Sequence, residues 1–192
     1  MKKKKQFVIL LIGPSGSGKG TQAQFLRRAL GRGTHYAQPG YLLRKFVKRD
    51  SEAARRIQAI MRRGDLVPGF VAAYIWKGII LKNVKQGESI IFDGAARTFR
   101  EAEEMDEVLR FIGFPLPLAV YITITPEETM RRLLSRGRFD DTGAAIVKRL
   151  RFFKKDVMPV ITYYKKHKRL ITVNGNQPVA DVWADIKKAL RL

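Results

Sequence analysis

The hydrophobic residues of this chain form short continuous runs separated by longer segments with helical spacing. Continuous apolar runs are typical of strands that are covered on both faces, as in a parallel sheet. The runs cover residues 7–12, 89–92, 118–124 and 169–173, and a weaker fifth strand is expected over 34–37. Strands that alternate with helices in this way predict an α/β fold in which helices cover a parallel sheet.

The longest helical pattern covers residues 142–166, where apolar residues recur every three or four positions. Pro159 lies inside this segment and is expected to kink it, because proline lacks a backbone N–H donor. Further helices are expected over residues 19–30, 41–48, 52–63, 70–85, 99–111, 126–136 and 179–190. No repeat or linker interrupts the 192 residues, so we expect a single domain over residues 1–192.

The composition limits the classes of function. Hydrophobic residues make up 45% of the chain, which is enough for a folded core. The 38 Lys and Arg against 17 Asp and Glu give a net charge of +21, and such a field concentrates anions. Cysteine is absent, which excludes disulfides and thiolate chemistry, and His35 and His167 are too few for a histidine-rich metal site. We expect both histidines to be structural or exposed.

Two lysine-rich segments need separate interpretation. Residues 2–5 and the apolar run after them imitate a signal peptide, but the run is too short and lacks a cleavage site. No other stretch reaches the roughly 20 apolar residues that span a bilayer, so we expect a soluble protein. The absence of cysteine fits a reducing, cytoplasmic setting, and we expect a monomer. Residues 2–5 and the cluster at 165–169 are interpreted as solvated faces, with nonspecific nucleic-acid binding as the alternative.

A glycine-rich loop follows the first apolar run. The sequence GPSGSGKGT occupies residues 13–21, and its glycines and Lys19 have the spacing of a phosphate loop. Backbone N–H groups and the positive end of the next helix can converge on phosphate oxygens there, and Lys19 can bridge the outer phosphates. The next residue is Gly20, where the general pattern has a hydroxyl, which comes one place later at Thr21. We expect a polyphosphate site rather than a turn without a ligand.

The chain resembles the adenylate kinases and related nucleoside monophosphate kinases over most of its length. The phosphate loop has that family's variant, GSGKGTQ, at residues 16–22. The other motifs follow in the family's order: Gly40 with Leu42, Leu43 and Arg44; Gly64 with Leu66, Val67 and Pro68; FDGAARTFREA at 92–102; and RRLLSRG at 131–137 followed by Arg138, Asp140, Asp141 and KRL at 148–150. This ordered agreement is specific to the family.

The resemblance implies a P-loop NTPase fold with five parallel strands, a helical monophosphate-binding insert over residues 39–68 and a lid over 136–141. It also implies ATP and Mg²⁺ as cofactors, with nucleotides as partners. The implied ATP-binding residues are Gly16, Ser17, Gly18, Lys19, Gly20, Thr21, Arg132, Arg136 and Gln177. The implied monophosphate-binding residues are Gly40, Arg44, Val67, Gly94, Arg97, Glu101, Arg138 and Arg149.

The same resemblance assigns roles to individual side chains. Lys19 would contact the ATP phosphates, and Arg44 and Arg97 the phosphate of the acceptor. Arg132 would stack on the ATP adenine, while Arg136, Arg138 and Arg149 would contact the transferring group. Asp93 would hold Mg²⁺ through water, with Thr21 beside the metal. The implied catalytic set is Lys19, Arg97, Arg136, Arg138 and Arg149.

Taken without the family, the charged residues still indicate phosphoryl transfer. Its transition state spreads negative charge over the equatorial oxygens, and arginine can hold that charge without moving a proton. A phosphate monoester acceptor is already anionic near neutral pH and needs no general base. A hydroxyl acceptor would instead need a carboxylate. Asp93 could serve that need, hold a metal, or cap a helix, so it does not decide between these acceptors.

Three features depart from the family pattern. Glu101 stands where the family has Gln, and Pro39 and Tyr41 replace its Thr and Asp. An ionised Glu cannot donate, so its two oxygens suit a base edge with two donors, as in guanine. We therefore expect AMP as the default acceptor with a weakened preference, GMP or another monophosphate being accepted. The lid is also minimal, since Gly137 alone separates Arg136 from Arg138.

Two other functions remain open from the sequence. The first is a P-loop kinase for another small acceptor, which would require a hydroxyl compound and ignore all monophosphates. The second is a nucleic-acid-associated ATPase, suggested by a charge of +21 that exceeds what two bound nucleotides need. The chain shows no aromatic RNA-binding motif and no second domain, which makes the second a minor alternative.

Overall fold

The computed structural model describes residues 5–192, so Lys2, Lys3 and Lys4 of the N-terminal lysine segment lie outside the described residues. The strands are β1 Val8–Ile12, β2 Thr34–Ala37, β3 Ser89–Asp93, β4 Leu118–Thr123 and β5 Leu170–Asn174. They form one sheet in the order β2-β3-β1-β4-β5, with every pairing parallel. The α/β fold with a five-stranded parallel sheet is confirmed.

The helices lie close to the predicted segments. They are α1 Lys19–Leu30, α2 Pro39–Phe46, α3 Glu52–Arg62, α4 Gly69–Asn83, α5 Phe99–Phe111, α6 Pro126–Arg136, α7 Gly143–Phe152, α8 Met158–Lys166 and α9 Val179–Leu190. Four of them begin where a hydroxyl side chain accepts from the backbone N–H three residues on, which satisfies a donor that the helix itself leaves unpaired. These caps are Ser51, Thr98, Thr125 and Thr142.

The long helix predicted over residues 142–166 is divided by a π-helical turn. This turn covers Phe153–Val157 and joins α7 to α8. Pro159 lies in the first turn of α8, where its missing N–H is tolerated. The wider π turn thus accommodates the proline, and the chain stays helical from Gly143 to Lys166.

Helices cover both faces of the sheet and enclose two cores. One core contains Trp76 and Phe92, whose rings contact edge to face with centroids 5.9 Å apart. The other contains β1 side chains and the inner faces of α1 and α9. A third cluster belongs to α2, α3 and the segment after them, with Leu43, Ile57 and Val67 at its centre. This third cluster packs as a small unit beside the main sheet.

The parallel arrangement gives the sheet two chemically different edges. The strands all end at the edge named here the carboxyl edge, and all begin at the opposite one, the amino edge. Helices α1, α4, α5, α8 and α9 each end just before a strand begins or at the chain end, so their C-termini lie at the amino edge. None of the helices within residues 5–192 has the length and apolar character needed to cross a membrane.

Candidate active site

An open cleft of about 600 Å³ lies at the carboxyl edge of the sheet. In parallel α/β sheets this edge is where ligands bind, because loops and helix N-termini converge there. The cleft is lined by the loop after β1, the ends of β2 and β3, the α2–α3 unit and the turn between α6 and α7. Most of the chain's predicted site residues come from these segments.

The glycine-rich loop packs tightly against the end of the sheet. A Cβ atom at Gly13 would lie 2.6 Å from the carbonyl oxygen of Ile122 and equally close to Ser17 Oγ, so a side chain cannot be accommodated there. Lys19 follows the loop, and its Nζ donates to the carbonyl oxygens of Gly13 at 2.7 Å and Pro14 at 2.8 Å. The loop thereby holds an ammonium group at the start of α1.

The electrostatic environment of Lys19 favours the binding of an anion. Burial lowers the pKa of Lys19 to about 8, against an opposing effect from Asp93 and with added repulsion from Arg97 and Arg136. A bound polyphosphate would reverse this shift, because an adjacent negative charge favours the ammonium form. Lys19, Arg97 and Arg136 thus bring more positive charge together than Asp93 balances.

Two arginines converge opposite the loop. A Cβ atom at Gly40 would lie 3.6 Å from Nη1 of Arg44 and 3.7 Å from Nη2 of Arg97, so both guanidinium groups approach the same glycine. Burial, and next the charge of Arg138, lowers the pKa of Arg44. Burial also lowers the pKa of Arg97. Paired guanidinium groups of this kind form a fork that matches a phosphate group.

Arg136 at the end of α6 and Arg149 in α7 are held by a pair of buried carboxylates. Arg136 donates to both oxygens of Asp141, at 2.8 and 2.7 Å. Arg149 donates to Asp141 at 2.9 Å and to Asp140 at 2.6 Å. Burial opposes ionisation, but the hydrogen bonds from these arginines keep the pKa of Asp141 below its ordinary value. The carboxylates fix the guanidinium groups in place before any substrate is bound.

Arg132 spans two loops at the mouth of the cleft. Its guanidinium donates to Glu128 at 2.6 Å, to the carbonyl oxygen of Gly175 at 3.0 Å and to that of Gly16 at 3.4 Å. Bonds from Arg131 and Arg132 lower the pKa of Glu128 to about 2. Arg132 therefore joins the phosphate loop to the segment after β5, which gives it a structural role that its position in the sequence did not indicate.

Asp93 is held by two residues that sequence reasoning missed. The Tyr36 hydroxyl donates to Asp93 Oδ2 at 2.7 Å, and Gln38 Nε2 donates to the same oxygen at 2.6 Å. Burial, and then the Asp93 charge, raises the pKa of the Tyr36 phenol. The only indication in the sequence was that polar residues at the end of β2 would lie beside the end of β3. Both donors engage Oδ2, and Asp93 itself lines the cleft.

The predicted site residues fall into two groups. Those that line the cleft are Gly16, Gly18, Lys19, Gly20, Thr21, Gly40, Arg44, Val67, Asp93, Gly94, Arg97, Arg132, Arg136, Arg138 and Arg149. Ser17 is buried beneath the loop, where its Oγ accepts from Lys19 at 3.4 Å. Gln177 donates to Asp185 at 2.7 Å, away from the lining. Glu101 is buried behind the lining.

Of the two Glu101 carboxylate oxygens, one accepts a hydrogen bond and the other does not. Oε2 accepts from the backbone N–H of Arg97 at 2.7 Å, which fixes the turn before α5. Oε1 is buried without a hydrogen-bond partner, and it faces Gly69, whose Cβ atom would lie 3.3 Å away. Burial raises the pKa of Glu101, against the effect of the Arg97 N–H. A buried acceptor without a partner is costly unless it is protonated or meets a donor.

A phosphate loop and a set of fixed arginines facing one cleft define a P-loop phosphotransferase. The family model described as adenylate kinase matches residues 11–169. An adenylate kinase of Thermus thermophilus is 35% identical over 188 residues, covering 95% of this chain and 96% of the relative. One from Prochlorococcus marinus strain MIT 9515 is 33% identical, covering 95% and 97%. One from Cyanothece strain PCC 7425 is 34% identical, covering 93% and 92%.

The chain belongs to the adenylate kinase family. It is an ATP-dependent nucleoside monophosphate phosphotransferase, as the resemblance of its motifs implied. The alternative of a P-loop kinase for a hydroxyl acceptor and that of a nucleic-acid-associated ATPase as the main activity are therefore set aside.

Proposed function

We propose that this enzyme transfers the γ-phosphoryl group of ATP reversibly to AMP, giving two molecules of ADP. The observation that carries the proposal is the presence of two separate cationic groups in one cleft. Lys19 and the phosphate loop form the first, and Arg44 and Arg97 around Gly40 form the second. The phosphates of the donor ATP can bind to the first group, and the phosphate of the acceptor can bind to the second.

Arg136 at the end of α6 and Arg149 in α7 are suited to act on the transferring group. The charge of Arg136 affects the pKa of both Lys19 and Arg44, and that of Arg149 affects the pKa of Arg97. These guanidinium groups are thus within electrostatic reach of both phosphate positions. Because Asp140 and Asp141 already hold them, little reorganisation is needed as charge develops on the equatorial oxygens.

No proton transfer by the protein is needed in this reaction. The acceptor oxygen of a monophosphate is anionic near neutral pH, so it attacks without a general base. The protein's contribution is to position the two phosphates in line and to stabilise the charge of the transition state. Neither histidine is needed: His35 pairs with Glu88 at 2.6 Å, and His167 is exposed.

The residues in the cleft fit a magnesium ion that is held mainly by phosphate and water. Within residues 5–192 no group of three or more His, Asp or Glu is arranged to hold a metal. Mg²⁺ commonly keeps several waters and uses one or two carboxylates with substrate phosphates. Asp93 and Thr21 would hold it in this way. When bound, the ion would neutralise charge on the ATP phosphates.

The α2–α3 unit and the α6–α7 turn are suited to act as the monophosphate-binding insert, over residues 39–68, and the lid, over 136–141. The insert has its own small hydrophobic cluster, which supports movement as a body relative to the sheet. The lid is a short turn, closed at Gly137, and it brings Arg136 and Arg138 to the cleft without an added domain. Closure of either element would exclude water from the transfer.

A coupled assay of transfer from ATP to a panel of monophosphates tests this proposal. We expect turnover with AMP that requires Mg²⁺, and weaker turnover with GMP, CMP and UMP, GMP being the best of the three. Turnover with every monophosphate except AMP would disprove the acceptor assignment while leaving the phosphotransferase class intact. The reverse reaction, from ADP alone, should form ATP and AMP in equal amounts.

A further inference from the structure

The amino edge of the sheet forms one continuous surface, opposite the cleft. Hydrogen bonds between its loops hold them together: Gln86 Nε2 donates to the carbonyl oxygen of Ile112 at 2.7 Å, and the Ala119 N–H donates to that of Arg169 at 2.9 Å. The Arg169 guanidinium is itself paired with Asp106, which is buried. The surface is therefore a fixed platform rather than a set of independent loops.

This platform carries a group of lysines, named here the amino-edge basic face. Its members are Lys5, Lys85, Lys166, Lys168, Lys187 and Lys188, and all six are exposed. Among the residues that the structure describes, none of these six is in an ion pair with a carboxylate. Strand β4 alone separates β1 from β5, so the starts of those two strands lie only about 10 Å apart across the sheet.

Helix dipoles do not account for this face. Cations near a helix C-terminus are stabilising, and this explains Lys166, Lys187 and Lys188 in the last turns of α8 and α9. Lys5, Lys85 and Lys168 lie outside any helix, and the dipole effect falls off within the last turn. Lys5 Nζ lies 4.8 Å from the centroid of the Phe7 ring, and the hydrogen bond from the Lys85 N–H, with a smaller effect of the Lys85 charge, helps to lower the pKa of Glu88, so part of the presence of these two is explained. Among the described residues the Lys168 side chain has no ion pair or ring contact, so another reason is needed for its presence.

The type of cation differs from that in the cleft. Arginine, with its planar fork, provides most of the charge around the cleft, whereas the basic face as defined here consists of lysines, with exposed arginines such as Arg110 and Arg191 at the same edge. A lysine ammonium is a point charge on a flexible stem, which suits repeated phosphate groups but not the bidentate recognition of one. The face therefore fits a polyanion that is held through its backbone and without sequence preference.

We propose that the amino-edge basic face binds the phosphate backbone of single-stranded nucleic acid. An anionic membrane is the other large polyanion, but peripheral binding to membranes also uses apolar side chains that enter the lipid. Within the described part of the chain, the exposed large apolar side chains include Leu81 and Phe111, one each at the ends of α4 and α5, and none from residues 5–12, 163–174 or 182–192. Two single side chains on separate helices do not make the continuous apolar face that enters a membrane. A nucleic-acid strand needs only the charges that are present.

Fluorescence anisotropy of a labelled 20-nucleotide oligouridylate tests this proposal on the full chain. The test variant is Lys166→Glu/Lys168→Glu/Lys188→Glu. The control is Lys48→Glu/Arg49→Glu/Arg62→Glu, which makes the same change in net charge on exposed residues near α2 and α3. Measurements in saturating ATP and AMP keep the oligonucleotide out of the cleft, and vesicles containing phosphatidylserine provide the membrane arm.

We expect the test variant to bind the oligonucleotide at least tenfold more weakly than the wild type, while the control loses less than threefold. Each lost phosphate contact lowers the slope of log affinity against log salt by about 0.7 in single strands, so three lost contacts lower it by about 2. Phosphotransfer by the test variant should equal that of the wild type, because no substituted residue lines the cleft.

Three results would overturn the proposal. Equal losses in both variants would mean that net charge alone attracts the oligonucleotide. Displacement of the oligonucleotide by ATP would mean that it occupies the cleft. Binding to the vesicles without binding to the oligonucleotide would assign the face to membranes. None of these results depends on the identity of the acceptor monophosphate, so the proposed phosphotransfer is tested separately.

Discussion

The two edges of the sheet carry positive charge in two different forms. At the carboxyl edge the guanidinium groups of Arg136 and Arg149 are partly buried and held by Asp140 and Asp141. At the amino edge the ammonium groups of residues such as Lys166 and Lys168 are exposed, and within residues 5–192 they have no carboxylate partner. Charge that is fixed in a confined space can stabilise a particular transition state, whereas exposed charge can only attract.

Arginines also lie at the amino edge, in the last turns of α1 and α5 and after α9, and one arginine there is held as firmly as those of the cleft. Arg169 lies at the amino edge, yet it is paired with the buried Asp106 and donates to the carbonyl oxygen of Pro117 at 3.4 Å. The Tyr163 hydroxyl also donates to Asp106, at 2.8 Å. Arg169 therefore resembles the arginines of the cleft in its surroundings but does not line the cleft. Its role is to hold α5, α8 and the start of β5 together.

The largest effect is expected from Lys19→Met at the carboxyl edge. This substitution removes the charge that the phosphate loop holds for the outer ATP phosphates, so kcat should fall about 10³-fold. Steady-state kinetics with ATP and AMP measure the loss, and circular dichroism should give an unchanged fold. Turnover near that of the wild type would refute the assignment of the phosphate loop.

Asp106→Asn tests the ion pair between Asp106 and Arg169 at the amino edge. It leaves the Arg169 guanidinium, whose side chain is 16% exposed, without its carboxylate, so the free energy of unfolding should fall by about 3 kcal/mol. Denaturant unfolding measures the change, and kcat should stay within twofold. Glu104→Gln on the same helix is the matched control, and it should cost less than about 1 kcal/mol because its pairs are more exposed. Equal losses would mean that the Asp106 pair does not hold the platform.

Arg97→Ala and Arg132→Ala compare two arginines of the cleft. Arg97 is proposed to bind the acceptor phosphate, so its removal should lower kcat/KM for AMP about 100-fold. Arg132 is expected to stack on the ATP adenine, so its loss should raise the KM for ATP about tenfold and leave kcat/KM for AMP at saturating ATP within about threefold. Its bonds to Gly16 and Gly175 also predict a lower melting temperature for Arg132→Ala only. Equal kinetic losses would contradict the roles assigned to this pair.

How much of each edge could be predicted from the sequence depends on how far apart in the chain the contacting residues lie. The phosphate loop and the strands were predicted because their patterns are local, and the resemblance gave the family. The contacts of Asp93 with Tyr36 and Gln38 join positions 57 and 55 residues apart, so only the sheet order brings them together. The π turn before Pro159 was missed for another reason, since the helical periodicity of its residues continues through it.

The basic face could be predicted only in part. The lysine cluster at residues 165–169 is visible in the sequence and suggested nucleic-acid binding as an alternative, but the sequence could not show which other charges lie beside it. Lys85 and Lys188 join this face because parallel strands and antiparallel helices bring their segments to one edge. Similarly, the burial of Glu101 and the free position of its Oε1 depend on the packing of α4 against α5.

The smallest effect is expected at Glu101, where the carboxyl edge departs from its relatives' motif. If Oε1 meets the acceptor base, a protonated Glu101 can donate to adenine, whereas an ionised one suits the two donors of guanine. Because burial raises the pKa of Glu101, its protonated form persists to higher pH than that of an exposed glutamate. As the pH rises through the pKa of Glu101, the ratio of kcat/KM for AMP to kcat/KM for GMP should fall. Glu101→Gln should raise this ratio severalfold and remove its pH dependence, since the amide donates at every pH.

Glu103→Gln, an exposed neighbour on α5, is the control and should change neither. A wild type that strictly prefers AMP, with a ratio unchanged in Glu101→Gln, would mean that Oε1 does not contact the base and that Glu101 acts only through its bond to the Arg97 N–H.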